Sequence, residues 1–339
     1  MSALHFDVMA LVSSLSVLPT LADDLSELEV KLRDSVVAED KYLTEIASHL
    51  ITAGGKRVRP GFTIASSGIE TPAALAASSD VLMGGVAVEL VHLGSLYHDD
   101  VMDEAEMRRT VPSVNAIWGN LTAILAGDFL LARASGIAAS LGTEVAELLA
   151  ATIGELCEGQ ILELQSTFKL DRDESGYERS ISGKTASLLA TACRIGGLTA
   201  DLSRDNIEIL TSFGHSYGMA FQIVDDILDL VATDEQLGKP SGNDLMEGVY
   251  TLPVIFAFST DNGEALKELL GKEISVEERD YARNLIRASG GVSEALSRAR
   301  LWTDKASAAL NDLPPSEATE ALRAATTHLI QRAATPIIS

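Results

Sequence analysis

The sequence predicts an all-α fold of ten or more helices in a single domain, and three observations predict it. Apolar residues recur at helical spacing almost throughout the chain. Aromatic residues make up only 5% of it, while Ala, Leu, Ser and Glu abound, a mix that suits helices better than sheets. No run of alternating polarity with Asn-Gly or Asp-Gly turns suggests a hairpin.

The elements follow in order. Leu25–Ile51 reads as helix, ended by Gly54-Gly55, and Pro60 starts the next segment. Ala73–Met102 reads as one long helix after Pro72, in spite of Gly84, Gly85 and Gly94. Further helices are expected over Val114–Ser135, Gly142–Lys169, Glu174–Gly196, Arg204–Val231, Leu252–Ser259, Gly263–Leu270, Val276–Ser289, Val292–Leu310 and Ser316–Ala334. The breakers between them are short, except for Gly238–Gly248, which carries several Gly, Pro and charged residues; such long connections tend to be functional. No composition shift or repeat divides the chain. Residues 1–339 therefore read as one domain, with a motif-bearing core of about 41–258 and a flexible or peripheral segment at 1–22.

A chain of 339 residues buries a sizeable core without disulfides or structural metals. Cys157 and Cys193 each lie in an apolar helical stretch, so two buried free thiols and a cytoplasmic location are expected. The apolar patch Val8–Leu21 follows Asp7 and no Lys or Arg, so it lacks the basic start of a signal peptide. Charges such as Asp128 and Arg194 interrupt the other apolar stretches, and no transmembrane span is expected. The net charge of −23 argues against a nucleic-acid partner and against broad docking on anionic lipid. An anionic substrate would then need a local basic cluster or bound cations.

Two words stand out, Asp99-Asp100-Val101-Met102-Asp103 and Asp225-Asp226-Ile227-Leu228-Asp229. Both place aspartates at i and i+4, on one helix face. Like charges so clustered destabilise a helix, and Asp is a poor helix-interior residue. Carboxylates that hold Mg²⁺ resolve the conflict, because Mg²⁺ takes hard oxygens, usually one or two carboxylates plus substrate phosphate. A lone cluster would read as a solvated acidic face; two clusters flanked by apolar residues point to several ions around a diphosphate. Cations complete the pattern. Gly54-Gly55-Lys56-Arg57-Val58-Arg59-Pro60 concentrates three of them, Arg108-Arg109 follows the first word by a helical turn, Lys184 sits mid-helix beside Thr185, and Lys239 lies in the glycine loop. Singly each reads as a surface charge; together they are what two diphosphates require. His92 lies two helical turns before Asp99 and Gln222 one turn before Asp225; each reads equally as a core residue or as a phosphate donor.

Taken together these residues resemble the trans-isoprenyl diphosphate synthase family. The resemblance runs from about Lys41 to Phe258: the aspartate-rich stretches His98–Arg109 and Gly214–Leu230, the Gly-Lys-Arg run, Lys184-Thr185, and the loop Gly238–Leu245 followed by Thr251-Leu252-Pro253. It implies a helical bundle around a central apolar cavity and Mg²⁺-dependent elongation of an allylic diphosphate by isopentenyl diphosphate. By the same resemblance, isopentenyl diphosphate would contact Lys56, Arg59, His92 and Arg109. The allylic diphosphate would contact Arg108, Lys184, Thr185, Gln222 and Lys239. Metal would be held by Asp99, Asp103 and Asp225, with Asp100, Asp226, Asp229 and Asp244 also in the catalytic region, and the released diphosphate would take the proton. The family is usually dimeric, which makes Asn115–Ala134 a candidate interface, and product release implies transient membrane contact.

One departure is Val249, where many members carry a further lysine. Chain length is expected from the helix before Asp99. Gly94, Val91 and Val88 are not bulky there, and the first motif lacks the two-residue insertion of similar short-chain bacterial enzymes, so a medium-to-long product for quinone side chains is expected. Alternatives are a geranylgeranyl diphosphate synthase, a helical cyclase, which would usually keep one aspartate word and lack the second diphosphate site, and a non-catalytic regulatory subunit, which would be expected to have lost the aspartates.

Overall fold

The computed structural model describes residues 15, 17–71, 75–233 and 241–338, so Lys239, Pro72 and most of the 1–22 segment lie outside the described residues. The described end of that segment is not peripheral: Leu15, Leu18 and Leu21 are buried in the apolar core. The expected Leu25–Ile51 helix is two helices, α1 (Leu21–Ser35) and α2 (Lys41–Thr52), because the Asp40 side chain accepts the Tyr42 N–H and caps a new start. After α3 (Val58–Ser67), the long helix α4 (Ser79–Met102) begins where Ser78 caps it, several residues later than its apolar pattern suggested.

The chain then makes a small hairpin that the sequence did not announce. Strands β1 (Met107–Arg108) and β2 (Val111–Pro112) pair antiparallel, with Arg108 opposite Val111. Arg109 and Thr110 form the tip at φ 50° and 68°, so the two arginines leave α4 on a tight turn and do not continue the helix. Gly119, at φ 82°, splits the next expected helix into α5 (Val114–Trp118) and α6 (Asn120–Leu141). There follow α7 (Thr143–Ser166), α8 (Glu174–Ile181), a π-helical turn over Ser182–Ala186, and α9 (Ser187–Thr199). Helix α10 (Arg204–Val231) has the bounds its periodicity predicts. The remainder is α11 (Asn243–Met246), α12 (Leu252–Ala257), α13 (Gly263–Leu269), α14 (Val276–Ala288), α15 (Gly291–Ala309) and α16 (Glu317–Ile338).

Two helices organise the bundle, and each carries one aspartate word. Helix α4 lies against α6, α3, α9 and α1; α10 lies against α15, α9 and the π-turn. The seam between α10 and α9 is close because Gly214 and Gly218 face it: a Cβ on Gly214 would sit 2.7 Å from the Leu189 carbonyl oxygen, and one on Gly218 would sit 2.6 Å from Ala186 Cα. Beside it, Phe62 packs on Tyr217 with tilted rings whose centroids are 4.6 Å apart. One continuous apolar cluster runs from Leu15 to Ala333.

Cys193 is buried, its thiol pushed up to about 12 by burial, whereas Cys157 is exposed on α7, contrary to its apolar surroundings in sequence; both are free. Two helices, α4 and α6, are long and apolar enough to cross a membrane, so charges do not interrupt every apolar stretch. Helix α4 is largely enclosed by its neighbours, but the apolar window of α6 is only 33% buried.

Candidate active site

Asp99 and Asp103 lie at the C-terminal end of α4, on the face that also bears His92. Burial pushes Asp99 up to about 6; Asp103 adds to the rise, while Lys184 and Arg108 oppose it. Burial raises Asp103 as well, against Lys184 and Arg108. Lys184 reaches this pair from the π-turn. Burial works against its charge, but Glu163 of α7, to which its Nζ donates, and the two aspartates outweigh that and raise its pKa. Glu163 acts on Asp99, Asp103 and Asp226 alike, so both aspartate words lie around one cleft.

The second aspartate of each word is turned into the protein. Asp100 is wholly buried and accepts a 2.6 Å hydrogen bond from Arg108 Nε, while Asn115 Nδ2 donates to the backbone carbonyls of Asp100 and Ala105, each at 3.1 Å. These contacts tie the hairpin to the end of α4. Asp226 is buried and accepts from the Tyr177 hydroxyl at 2.5 Å and from Gln222 Nε2 at 2.8 Å; Thr185 Oγ1 donates to Gln222 Oε1 at 2.7 Å. Burial raises the Asp226 pKa in spite of those donors. Asp225 is exposed. Asp229 is buried, its side chain accepting from the Asp244 N–H at 3.4 Å and its carbonyl from the Gly242 N–H at 2.8 Å, so it holds the N-terminus of α11.

Arg59, His92 and Arg109 form a second, cationic group, and Lys56 precedes Arg59 by three residues. Burial pushes Arg59 down to about 10; Glu89 opposes this and Arg109 adds to it, and the Arg59 Nε is buried without a partner. Burial, then Arg59, Arg109, Arg57 and Arg108, push His92 well below its ordinary value, so its imidazole is neutral and has one N–H to donate. Arg109 Nη1 donates to the carbonyls of Leu50, at 3.2 Å, and Gly54. Arg57, in contrast, points inward to Glu29 and Glu89.

The residues that the sequence suggests for setting product length are packed inside the bundle. Val88 and Val91 are fully buried in α4. Gly94 faces α6, where an added Cβ would lie 3.1 Å from the Gly127 carbonyl oxygen and 3.2 Å from Leu131 Cγ. The missing side chain brings the two helices together, and Leu131 occupies the space beside it. Tyr97 is turned away from the aspartates, its hydroxyl donating to the Ile46 carbonyl at 2.8 Å. Val249 donates its N–H to the Asp244 carbonyl at 2.8 Å and supplies no charge.

Several site residues escape a reading by motif. Glu163 and Tyr177 give no local signal. Glu89 gives one, a carboxylate inside the apolar run Val86–Leu93 and one turn before His92. Arg283 and Arg287, at i and i+4 on α14, donate to the Leu230 carbonyl at 3.0 and 2.8 Å and so cap the C-terminus of α10.

Among the described residues, no three His, Cys, Asp or Glu side chains gather tightly enough to hold an ion unaided. Mg²⁺ takes few carboxylates and completes its octahedron with water and substrate phosphate. Asp99 and Asp103, whose pKa values are raised by desolvation, are carboxylates that a hard cation would stabilise in the ionised state.

A helical bundle with paired carboxylate words and two cationic groups around one cleft defines a metal-assisted enzyme acting on diphosphate esters. The polyprenyl synthetase family matches residues 40–286. Heptaprenyl diphosphate synthase component 2 of Geobacillus stearothermophilus is 39% identical over 309 residues, covering 89% of this chain and 94% of that protein. Nonaprenyl diphosphate synthase of Mycobacterium tuberculosis is 38% identical over 296 residues, 86% of this chain and 88% of that one. A polyprenyl synthase from Caulobacter crescentus, solved with calcium and isoprenyl diphosphate, superposes with a TM-score of 0.87 at 32% identity, over 93% of this chain and 97% of that one. The chain belongs to the polyprenyl synthetase family and is a polyprenyl diphosphate synthase.

Proposed function

We propose that the enzyme condenses isopentenyl diphosphate head-to-tail with an allylic prenyl diphosphate and extends it to a heptaprenyl-to-decaprenyl product for quinone side chains. The observation that carries this reading is the Asp99–Asp103 face of α4, met by Lys184 from the π-turn within a cleft that also holds the second word. The heptaprenyl and nonaprenyl relatives support the product length.

Mg²⁺, held by Asp99, Asp103 and Asp225, would neutralise charge on the departing diphosphate. Arg108, Lys184, Thr185, Gln222 and Lys239 would bind that allylic diphosphate. The Thr185–Gln222–Asp226–Tyr177 chain fixes Gln222 so that its amide is presented in one orientation. Lys56, Arg59, His92 and Arg109 would hold isopentenyl diphosphate with its double bond toward the ionising carbon, and apolar walls exclude water from the carbocation. Neutral His92 adds a donor to this group without adding a fifth charge to the arginines.

We also propose a cytoplasmic homodimer built on α6, with membrane contact only as product leaves. A second reading has one observation in its favour: the Geobacillus relative is named as component 2, so this chain could be the aspartate-bearing half of a two-component synthase.

Purified protein with Mg²⁺, labelled isopentenyl diphosphate and farnesyl diphosphate, resolved by product length, tests both. A ladder ending at seven to ten isoprene units, abolished by EDTA and by Asp99→Ala, is expected. A product stopping at four units would make the enzyme a geranylgeranyl diphosphate synthase. No product from folded protein with either a farnesyl or a geranyl primer would favour the two-component reading.

A further inference from the structure

We propose that Arg57 is a positioning residue for the isopentenyl diphosphate site and that Glu29, on helix α1, is half of the clamp that sets it. The proposal rests on assigning Lys56, Arg59, His92 and Arg109 to that substrate. Arg57 stands between Lys56 and Arg59 in sequence but is tied up in ion pairs that neither of them shares. Its backbone is left-handed, at φ 46° and ψ 38°, and its guanidinium is buried. Nε donates to Glu29 Oε2 at 2.8 Å and Nη2 to Glu29 Oε1 at 3.0 Å, a two-pronged bond. Nη1 donates to Glu89 Oε1 at 2.8 Å, and Nη2 also reaches the Ile51 carbonyl at 3.3 Å. A guanidinium so engaged has little left with which to grip a phosphate.

What the clamp does follows from the charges around it. Arg57, Arg59 and Arg109 all act on Glu89, and with Arg108 they act on His92, so several like charges lie near one another. Unrestrained, they would repel and swing toward solvent. Glu89, only 2% exposed, spaces them: it bonds Arg57 and lies 4.0 Å from Arg109 Nη2. Gly55 lets the guanidiniums pass the loop, since a Cβ there would sit 2.7 Å from Arg109 Nη1. The chain Glu29–Arg57–Glu89–Arg109 thus runs from α1 to the hairpin and fixes the left-handed turn that joins Lys56 to Arg59. Because α1 precedes residues 40–286, this support comes from outside the segment that defines the family.

The test is steady-state kinetics on Glu29→Gln, Arg57→Lys and the double variant, with Arg59→Gln alongside and thermal midpoints recorded for each. In Glu29→Gln and Arg57→Lys, the KM for isopentenyl diphosphate should rise about tenfold, while kcat and the KM for farnesyl diphosphate stay within about twofold. The double variant should be little worse than either single one, because both break the same bond. Unchanged KM for isopentenyl diphosphate, with only a lower thermal midpoint or less active enzyme, would reduce the clamp to a structural contact and overturn the proposal. If Arg59→Gln raises that KM while Glu29→Gln does not, the clamp fails and the substrate assignment stands. If Arg59→Gln instead raises the KM for farnesyl diphosphate, the assignment itself fails.

Discussion

Neighbouring aspartates in each word have separate tasks because a helix turns successive side chains to different faces. Asp99 meets the cleft and Asp100 meets Arg108; Asp225 is exposed and Asp226 meets Tyr177 and Gln222. The cleft-facing carboxylate is held at the expense of stability. Asp99 is pushed up to about 6, above its value in the unfolded chain, so the folded state prefers it protonated. The metal-free protein therefore carries a penalty that is full above about pH 7, shrinks as pH falls through 6, and is gone below about 4. Asp99→Asn should abolish turnover yet stabilise the metal-free protein by about 1–3 kcal/mol at pH 8, with the gain fading toward pH 4. Urea unfolding across that range checks it, and a variant no more stable at pH 8 would mean that Lys184 already compensates Asp99. The aspartates were legible in sequence because they form short local words, whereas Lys184 and His92 stood out only in their company. Their partners were not: Tyr177 stands 49 residues from Asp226, and Glu163 is 21 from Lys184. Only the tertiary fold makes those pairs.

At the scale of elements, the π-turn over Ser182–Ala186 is what delivers Lys184 and Thr185 to the cleft. It sits between an unbroken-looking α8 and α9, and the sequence predicted one helix over Glu174–Gly196. A shift of hydrogen-bond register leaves no compositional trace, so that expectation had to miss it. The same holds for the hairpin at Arg108, whose strands are too short for a pattern. The bounds of α10 were legible, because 28 residues of amphipathic periodicity lie behind the Ser203 cap. Glycines seat the π-turn against α7. A Cβ on Gly183 would lie 2.6 Å from the Glu155 carbonyl oxygen, and one on Gly159 would lie 2.7 Å from the Ser180 carbonyl oxygen. Ser182 Oγ, 2.9 Å from His215 Nε2, pins the turn to α10. Gly183→Ala must push α7 and the turn apart. It should cost about 1–3 kcal/mol of stability and raise the KM for the allylic diphosphate more than that for isopentenyl diphosphate, because Lys184 moves with the turn. Denaturant midpoints and the two KM values check this; equal shifts in both KM values would refute the turn's selective role.

For the whole molecule, the unresolved balance is between an apolar face and a large like charge. Leu121, Leu125, Ile117 and Ile124 are 81%, 66%, 45% and 40% exposed on and beside α6, and Ile161 and Leu164 add to them from α7. Large side chains gathered in this way mark an interaction surface. Each chain also carries a net charge of −23, so two copies repel as they approach. Burying such a face gains roughly 25 cal/mol per Å² of apolar surface, and a standard interface buries about 1,200–2,000 Å² in total. The apolar term therefore exceeds the repulsion once salt screens charges beyond a Debye length of about 8 Å. A dimer joined through α6 should accordingly tighten as salt rises from low to physiological strength, the reverse of an interface held by ion pairs. Sedimentation equilibrium should give twice the chain mass at physiological salt, and Leu121→Glu with Leu125→Glu should give the monomer. The lost dimer should take activity with it, since α6 also packs on the aspartate-bearing α4 at Gly94 and Gly127. A wild-type protein that stays monomeric at micromolar concentration, yet gains activity when a second polypeptide is supplied, would assign the same face to an unlike partner.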